Sequence, residues 1–306
     1  MKLAVEFPSV AYRDGPEAVA KLARAIEEIG YDHLDIFDHV VMGFDTPDRE
    51  PNRYSAKMPI LEALMTLSYA AAVTSRIGLG TEVLVLPQRQ PVLVAKQFST
   101  LDTLSGGRAR VGVGIGWQDS EFQALGESFA TRGKRCDEAI ELMRACWRDE
   151  KVSHQSAHYT VDTMGFEPKP PQGVLPVWIG GNSDPAFRRI GQLGDGWLAS
   201  QITDAEVAAQ AIGSIRRHAE EAGRDPMAIG LQAMVAPPPR PGDENAKLYY
   251  ADHDEVARRV GALREMGFQY AAINATAIFQ AGARGVDPMI DALGKLHERL
   301  RKEVGT

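Results

Sequence analysis

The sequence predicts an α/β fold, a (β/α)8 TIM barrel with loop insertions, with residues 1–306 forming one domain. Two observations carry this. Short β-branched runs that end in Gly, Pro, Asp or Asn alternate eight times with amphipathic segments, the pattern of a parallel sheet closed on itself. A doubly wound open sheet is the rival, and it would carry fewer strands and a G-x-G-x-x-G turn that the chain lacks. The length, 306 residues, would alone suit two domains, but a barrel uses about 250 residues as one domain and grows by insertion.

Taken in order, the first strand is expected over 2–7 and its helix over 17–30. The second strand, 33–39, precedes a helix over 60–74, and the third, 77–86, one over 91–104. The fourth strand runs over 109–117, followed by a helix with a strong apolar period over 131–148. Strands over 176–182 and 196–201 precede helices over 185–193, opened by Pro185, and 204–222. The last two strands, 228–236 and 270–276, lead into helices over 253–266 and 289–302. Three stretches exceed simple connections: 41–59, 150–175 and 237–252. The first and third follow strands, at the barrel end where active sites form, so they are candidate lids or pocket walls. Part of the second, KVSHQSAHYTV, has the look of a hairpin.

Composition is that of an ordinary globular chain, 44% hydrophobic and 25% charged. Net charge is −7 with no block of Lys and Arg, which argues against nucleic acid or an anionic membrane as partner. The opening MKLAVEFPSV is too short for a signal-peptide core, and no apolar run reaches the roughly 18 residues of a membrane span. A cytoplasmic location is therefore expected, with a small-molecule substrate and at most a second copy of the chain, a homodimer, as partners. Cys136 and Cys146 share one predicted helix, about 15 Å apart, beyond disulfide reach. No zinc spacing exists. His154 and His158 are four apart but sit in the hairpin, without a carboxylate beside them, so no metal is expected. His218, His253 and His297 read as solvated residues on polar helix faces.

LSGGRARVGVGIGW, residues 104–117, places Gly112, Gly114 and Gly116 in strict alternation with branched residues. That is a strand period, so one face of the strand is bare backbone. Such a face admits either a ligand or a closely packed helix, and the stretch alone does not choose between them. Strand ends are where function belongs in a barrel. The second ends in DIFDHV, which puts Asp38 and the proton-transfer candidate His39 at the mouth. In the third, Thr81 and Glu82 follow Gly80, and a carboxylate in that apolar run suggests a bulge. The fourth ends at Trp117. The fifth ends Gly180, Gly181, Asn182, Ser183 ahead of a helix start, an arrangement able to hold an anion or simply to cap the helix. Arg188 and Arg189 could assist an anion there or be surface charge. No nucleophile–base pair and no metal cluster emerge, which suits a redox cofactor that carries the hard chemistry.

These segments resemble the bacterial luciferase-like superfamily of flavin- and deazaflavin-dependent oxidoreductases. The resemblance rests on FDHV, on TSRIGLGTEVLVLPQRQPVLVAKQFSTLDTLSGGRARVGVGIGW and on PVWIGGNSDPAFRRIGQLGDGWL, spanning about residues 1–200. Within it the chain is most similar to the branch dependent on coenzyme F420. The resemblance implies a TIM barrel with the deazaflavin ring over its mouth, His39 as the catalytic residue, and Asp38 against the ring. It implies a bulge at Thr81, Glu82 and Val83 that backs the ring, with a cis peptide at Glu82–Val83. Ile115, Gly116 and Trp117 would flank the ring, and Gly180, Gly181, Asn182 and Ser183 would hold phosphate. Sugar-phosphate dehydrogenases of this branch have a glutamate where this chain has Trp117, and luciferases a phosphate-binding arginine where it has Ile115. The implied function is hydride transfer between F420 and a small organic substrate. An FMN-dependent luciferase-like monooxygenase and a non-catalytic flavin-binding barrel are the alternatives.

Overall fold

The computed structural model of the chain describes residues 1–47, 54–236 and 248–305. Strands β1 (Lys2–Glu6), β2 (His33–Ile36), β3 (Gly78–Thr81) and β5 (Ala109–Gly114) are joined in one sheet by β8 (Val177–Gly180), β9 (Gly196–Ala199), β10 (Gly230–Met234) and β11 (Tyr270–Asn274). Neighbouring strands are parallel in the order β3-β2-β1-β11-β10-β9-β8-β5, and β5 pairs back onto β3 through Leu79↔Ala109. That last pairing closes the sheet. The predicted barrel is the observed one, and the open-sheet rival is excluded.

All eight expected helices are present: α1 (Pro16–Ile29), α2 (Ala63–Ala71), α3 (Pro91–Ser105), α5 (Arg132–Arg148), α6 (Asp184–Leu193), α7 (Ala205–Glu221), α8 (His253–Glu265) and α10 (Val286–Val304). Their ends follow local rules. Pro16 and Pro91 open helices where a missing N–H costs nothing, and Gly30 and Gly106 close them in the left-handed conformation. On α1, Ala18, Val19, Leu22, Ala23 and Ile26 are buried against the barrel, the spacing of one helical face. Among the described residues two short α-helices were not expected, α4 (Asp119–Ala124) and α9 (Ala275–Gln280).

Several boundaries differ from the reading of the sequence. The third strand, expected over 77–86 with a bulge at Thr81 and Glu82, is interrupted after Thr81 and resumes as β4 (Leu84–Val85). The Glu82–Val83 peptide between them is cis, as the resemblance implied. The fourth strand stops at Gly114 and the second at Ile36. The 150–175 insertion contains the hairpin, β6 (Val152–Gln155) against β7 (Thr160–Met164). It packs outside the barrel, with His158 bonded to Glu138 of α5 and Gln172 donating to Asp102 and to the Ala109 carbonyl. The 41–59 and 237–252 insertions fall partly outside the described residues. Cys136 and Cys146 are free and buried on α5. His297 corrects an expectation: it is half-buried, 4.8 Å from the Tyr31 ring, and donates to the Gly30 carbonyl. No helix among the described residues is long and apolar enough to cross a membrane.

Candidate active site

A cavity of about 560 Å³ opens at the C-terminal ends of the strands, a size suited to a small-molecule ligand. Its walls include Asp38 and His39 beyond β2, Glu82 and Val83 at the strand break, and Ile115, Gly116 and Trp117 beyond β5. Gly180, Gly181, Asn182 and Ser183 beyond β8 form the opposite side. Of the residues expected to act in catalysis or to hold the cofactor, all border this space except Thr81. Thr81 is buried beneath it, its hydroxyl donating to the Gly112 carbonyl and accepting from the Gly112 N–H. Among the described residues no group of three His, Cys, Asp or Glu could hold a metal.

His39 is 8% exposed, and its Nδ1 lies 3.0 Å from Glu121 Oε2. Glu121 comes from α4 and is itself buried; its other oxygen accepts the Val40 N–H at 2.6 Å and the Val41 N–H at 3.3 Å. Burial pushes the Glu121 carboxyl up, but the His39 and backbone hydrogen bonds outweigh it and hold the group below its ordinary range. A carboxylate accepting from Nδ1–H fixes the ring and leaves Nε2 as a proton acceptor, the arrangement used in general-base catalysis. Sequence reading missed Glu121. Its one signal is a carboxylate four residues past Trp117, in a segment too short to show a helical period.

Two aromatic rings face the histidine. Trp117 packs edge-on at 5.5 Å and Tyr54 at 6.0 Å, with 6.2 Å between them. Asp38 is held from behind, its carboxylate accepting from Arg89 at 2.8 Å and from the Val85 N–H at 3.1 Å. Burial still leaves its carboxyl above the ordinary value, although Arg89 opposes this.

The bare face of β5 meets the broken third strand at Gly112 and Gly114, and only at Gly116 does a helix pack close by. A Cβ on Gly112 would stand 1.6 Å from the Thr81 carbonyl oxygen, so the glycine admits the backbone of the strand break. A Cβ on Gly114 would meet Val83 Cγ2 at 2.6 Å, and one on Gly180 would meet Val83 Cγ1 at 2.9 Å. Two glycines on neighbouring strands therefore seat Val83 in the cavity floor. Gly116 lies outside the strand at φ +76°, and a side chain there would strike Val85 and Phe122 of α4. It serves a turn and close packing, so it does not share the face of the other two. The Gly180–Ser183 corner leads into α6. Ser183 occupies the N-cap without making a side-chain cap bond, and Asn182 donates to Ser200. Arg189 is not available to an anion: it is buried and paired with Asp137 of α5. Arg188 is exposed.

Below the cavity the barrel interior is polar. Asp35 accepts from Arg110 at 2.6 Å and from Gln232 at 3.0 Å, and its other oxygen pairs with His33 at 2.8 Å. Glu6 accepts from Asn274 at 2.8 Å. Burial, then the neighbouring Asp35, pushes Glu6 up to about 8. A raised carboxyl contributes stability that is present below its unfolded value and lost as pH rises toward its folded one. Wild-type stability is thus expected to fall between about pH 5 and pH 8 more steeply than that of Glu6→Gln, by up to roughly 1.4 kcal/mol per pH unit. Denaturant titrations of both proteins across that range check it, and equal slopes would mean Glu6 ionises normally.

The family model for luciferase-like monooxygenases matches residues 3–297. An uncharacterised protein of Mycobacterium tuberculosis (strain ATCC 25618 / H37Rv) is 33% identical over 209 residues, 66% of this chain and 72% of that one. An F420-dependent glucose-6-phosphate dehydrogenase of Segniliparus rotundus is 29% identical over 239 residues, 75% of this chain and 66% of that one. In fold, the crystal structure of a monooxygenase from Streptomyces bottropensis superposes with a TM-score of 0.79 at 19% identity, with both chains covered in full.

Proposed function

The chain belongs to the luciferase-like monooxygenase family, and from that premise we propose that it is an oxidoreductase transferring a hydride between coenzyme F420 and a small organic substrate bound in the mouth cavity. The observation that carries the reading is the His39–Glu121 pair at one side of a cavity whose floor is the broken third strand. The likeness to an F420-dependent dehydrogenase supports the choice of cofactor.

The residues present fit a flat ring with an anionic tail. Val83, seated between Gly114 and Gly180, offers an apolar ledge, and the Gly180–Ser183 corner at the start of α6 offers backbone donors. When bound, a deazaflavin supplies a hydride donor or acceptor and leaves proton handling to the protein. His39 would take a hydroxyl proton from the substrate at Nε2, with Glu121 stabilising the imidazolium that results. Tyr54 and Trp117 would bound the substrate on the histidine side and keep water from it. Trp117 stands where sugar-phosphate dehydrogenases of the resemblance carry a glutamate, so a sugar phosphate is not the expected substrate.

Titration of the purified protein with F420 and with FMN is expected to show tighter binding of F420. Tight binding of FMN with no response to F420 would favour the flavin-dependent monooxygenase, and turnover of no substrate with either would favour a binding protein.

A further inference from the structure

We propose that Glu82 is an uncharged acid in the cavity floor that donates a hydrogen bond to an acceptor atom of the bound ring and ties the ring's affinity to its own proton. The inference rests on the reading of the cavity as a site for a flat heteroaromatic cofactor.

Glu82 stands at the boundary between the cavity and the polar interior, and it belongs to both. It is 9% exposed, and its Oε2 is buried without a hydrogen-bond partner among the described residues. The charged and titratable groups that face it are Glu6 from β1, Asp35 from β2, with His33 beyond it, and Arg110 from β5. Above it, Asp38 is already taken by Arg89 and the Val85 N–H, and His39 by Glu121. Arg110 is the one guanidinium among the groups acting on Glu82, and it pairs with Asp35. Among the described residues neither Glu6 nor Glu82 is in a salt bridge, although Arg110 keeps Nε and Nη1 without a hydrogen-bond partner. Two further carboxylates cannot both ionise in that space, because each lacks water and repels the other. Burial, then Asp35 and Glu6, raise the Glu82 carboxyl well above its ordinary range. Gln232, whose Nε2 donates to Asp35, neighbours the Glu82 carboxyl on the interior side, and Oε2 is left without a partner. A protonated carboxyl is a donor, and Glu82 borders the cavity, so an acceptor bound there is the partner open to it. Ring carbonyls and unprotonated ring nitrogens are such acceptors.

The sign follows from the charge. Below its folded pKa Glu82 donates; above it, the group is an anion that repels the same acceptor. F420 and FMN affinities of the wild type are therefore expected to weaken by up to about tenfold per pH unit once alkaline pH ionises Glu82. Glu82→Gln keeps a donor but no ionisable proton, so its affinity should stay near the neutral wild-type value and be flat with pH. Glu6→Gln should keep the fall but move it to lower pH, because Glu6 no longer raises Glu82, and this separates Glu82 from the other raised carboxyl. Infrared difference spectra give the second readout. A protonated-carboxyl band present without ligand should shift when the compound binds and be missing in Glu82→Gln, whose melting temperature confirms folding. Equal pH dependence of wild type and Glu82→Gln, or a band unmoved by bound compound, overturns the proposal. Binding of neither compound overturns the functional reading and the hydrogen bond to a ring with it, while the band in the free protein separately decides whether Glu82 is uncharged.

Discussion

His39→Ala is expected to lower kcat by about 10²–10⁴-fold while leaving cofactor affinity nearly unchanged. The expectation follows from geometry. The imidazole is held through Nδ1 by a buried carboxylate, and it borders the cavity beside Tyr54 and Trp117. Partial recovery of rate with added imidazole would identify a lost proton acceptor, and wild-type turnover would reduce His39 to packing. Glu121→Gln belongs to the same test. It keeps the shape but loses the charge that stabilises an imidazolium and selects the tautomer, so kcat should fall by about tenfold or more with KM little changed. A pure loss of stability in that variant, with kcat intact, would make Glu121 only a clasp for the Val40 and Val41 backbone.

Gly112→Ala is expected to cost about 3 kcal/mol or more of folding stability, the upper end of overpacking. The new methyl would stand 1.6 Å from a backbone oxygen, and backbone in a closed barrel cannot yield as a side chain can. Gly114→Ala meets only a Val83 methyl and should cost about 1–3 kcal/mol while weakening cofactor binding through the displaced ledge. Gly116→Val adds a left-handed φ to clashes with Val85 and Phe122, so stability is lost along with any change in binding. Thermal melts and cofactor titrations on the three variants separate these effects. A Gly112→Ala protein as stable as wild type would refute the account of the bare strand face.

The sequence by itself determined the barrel, because strand and helix periods are local and repeat eight times along the chain. It also placed His39, Trp117 and Gly180 at strand ends, and a parallel barrel gathers its strand ends at one mouth. Tertiary structure decided the rest. Glu121 reaches His39 from 82 positions away through a six-residue helix, and no local period marks such a pairing. Arg189 looks like surface charge or an anion ligand in one dimension, and only the packing of α6 on α5 turns it toward Asp137. The three glycines share a spacing yet do three different things, because each is read by the atom that approaches it: the Thr81 backbone, the Val83 side chain, and Phe122 with Val85. Those approaches depend on the break in β3 and on where α4 lands. The charge state of Glu82 is likewise set by Glu6, Asp35 and Arg110, brought to it by three other strands. Desolvation and Coulomb interaction act through space, and closing the barrel is what creates that space.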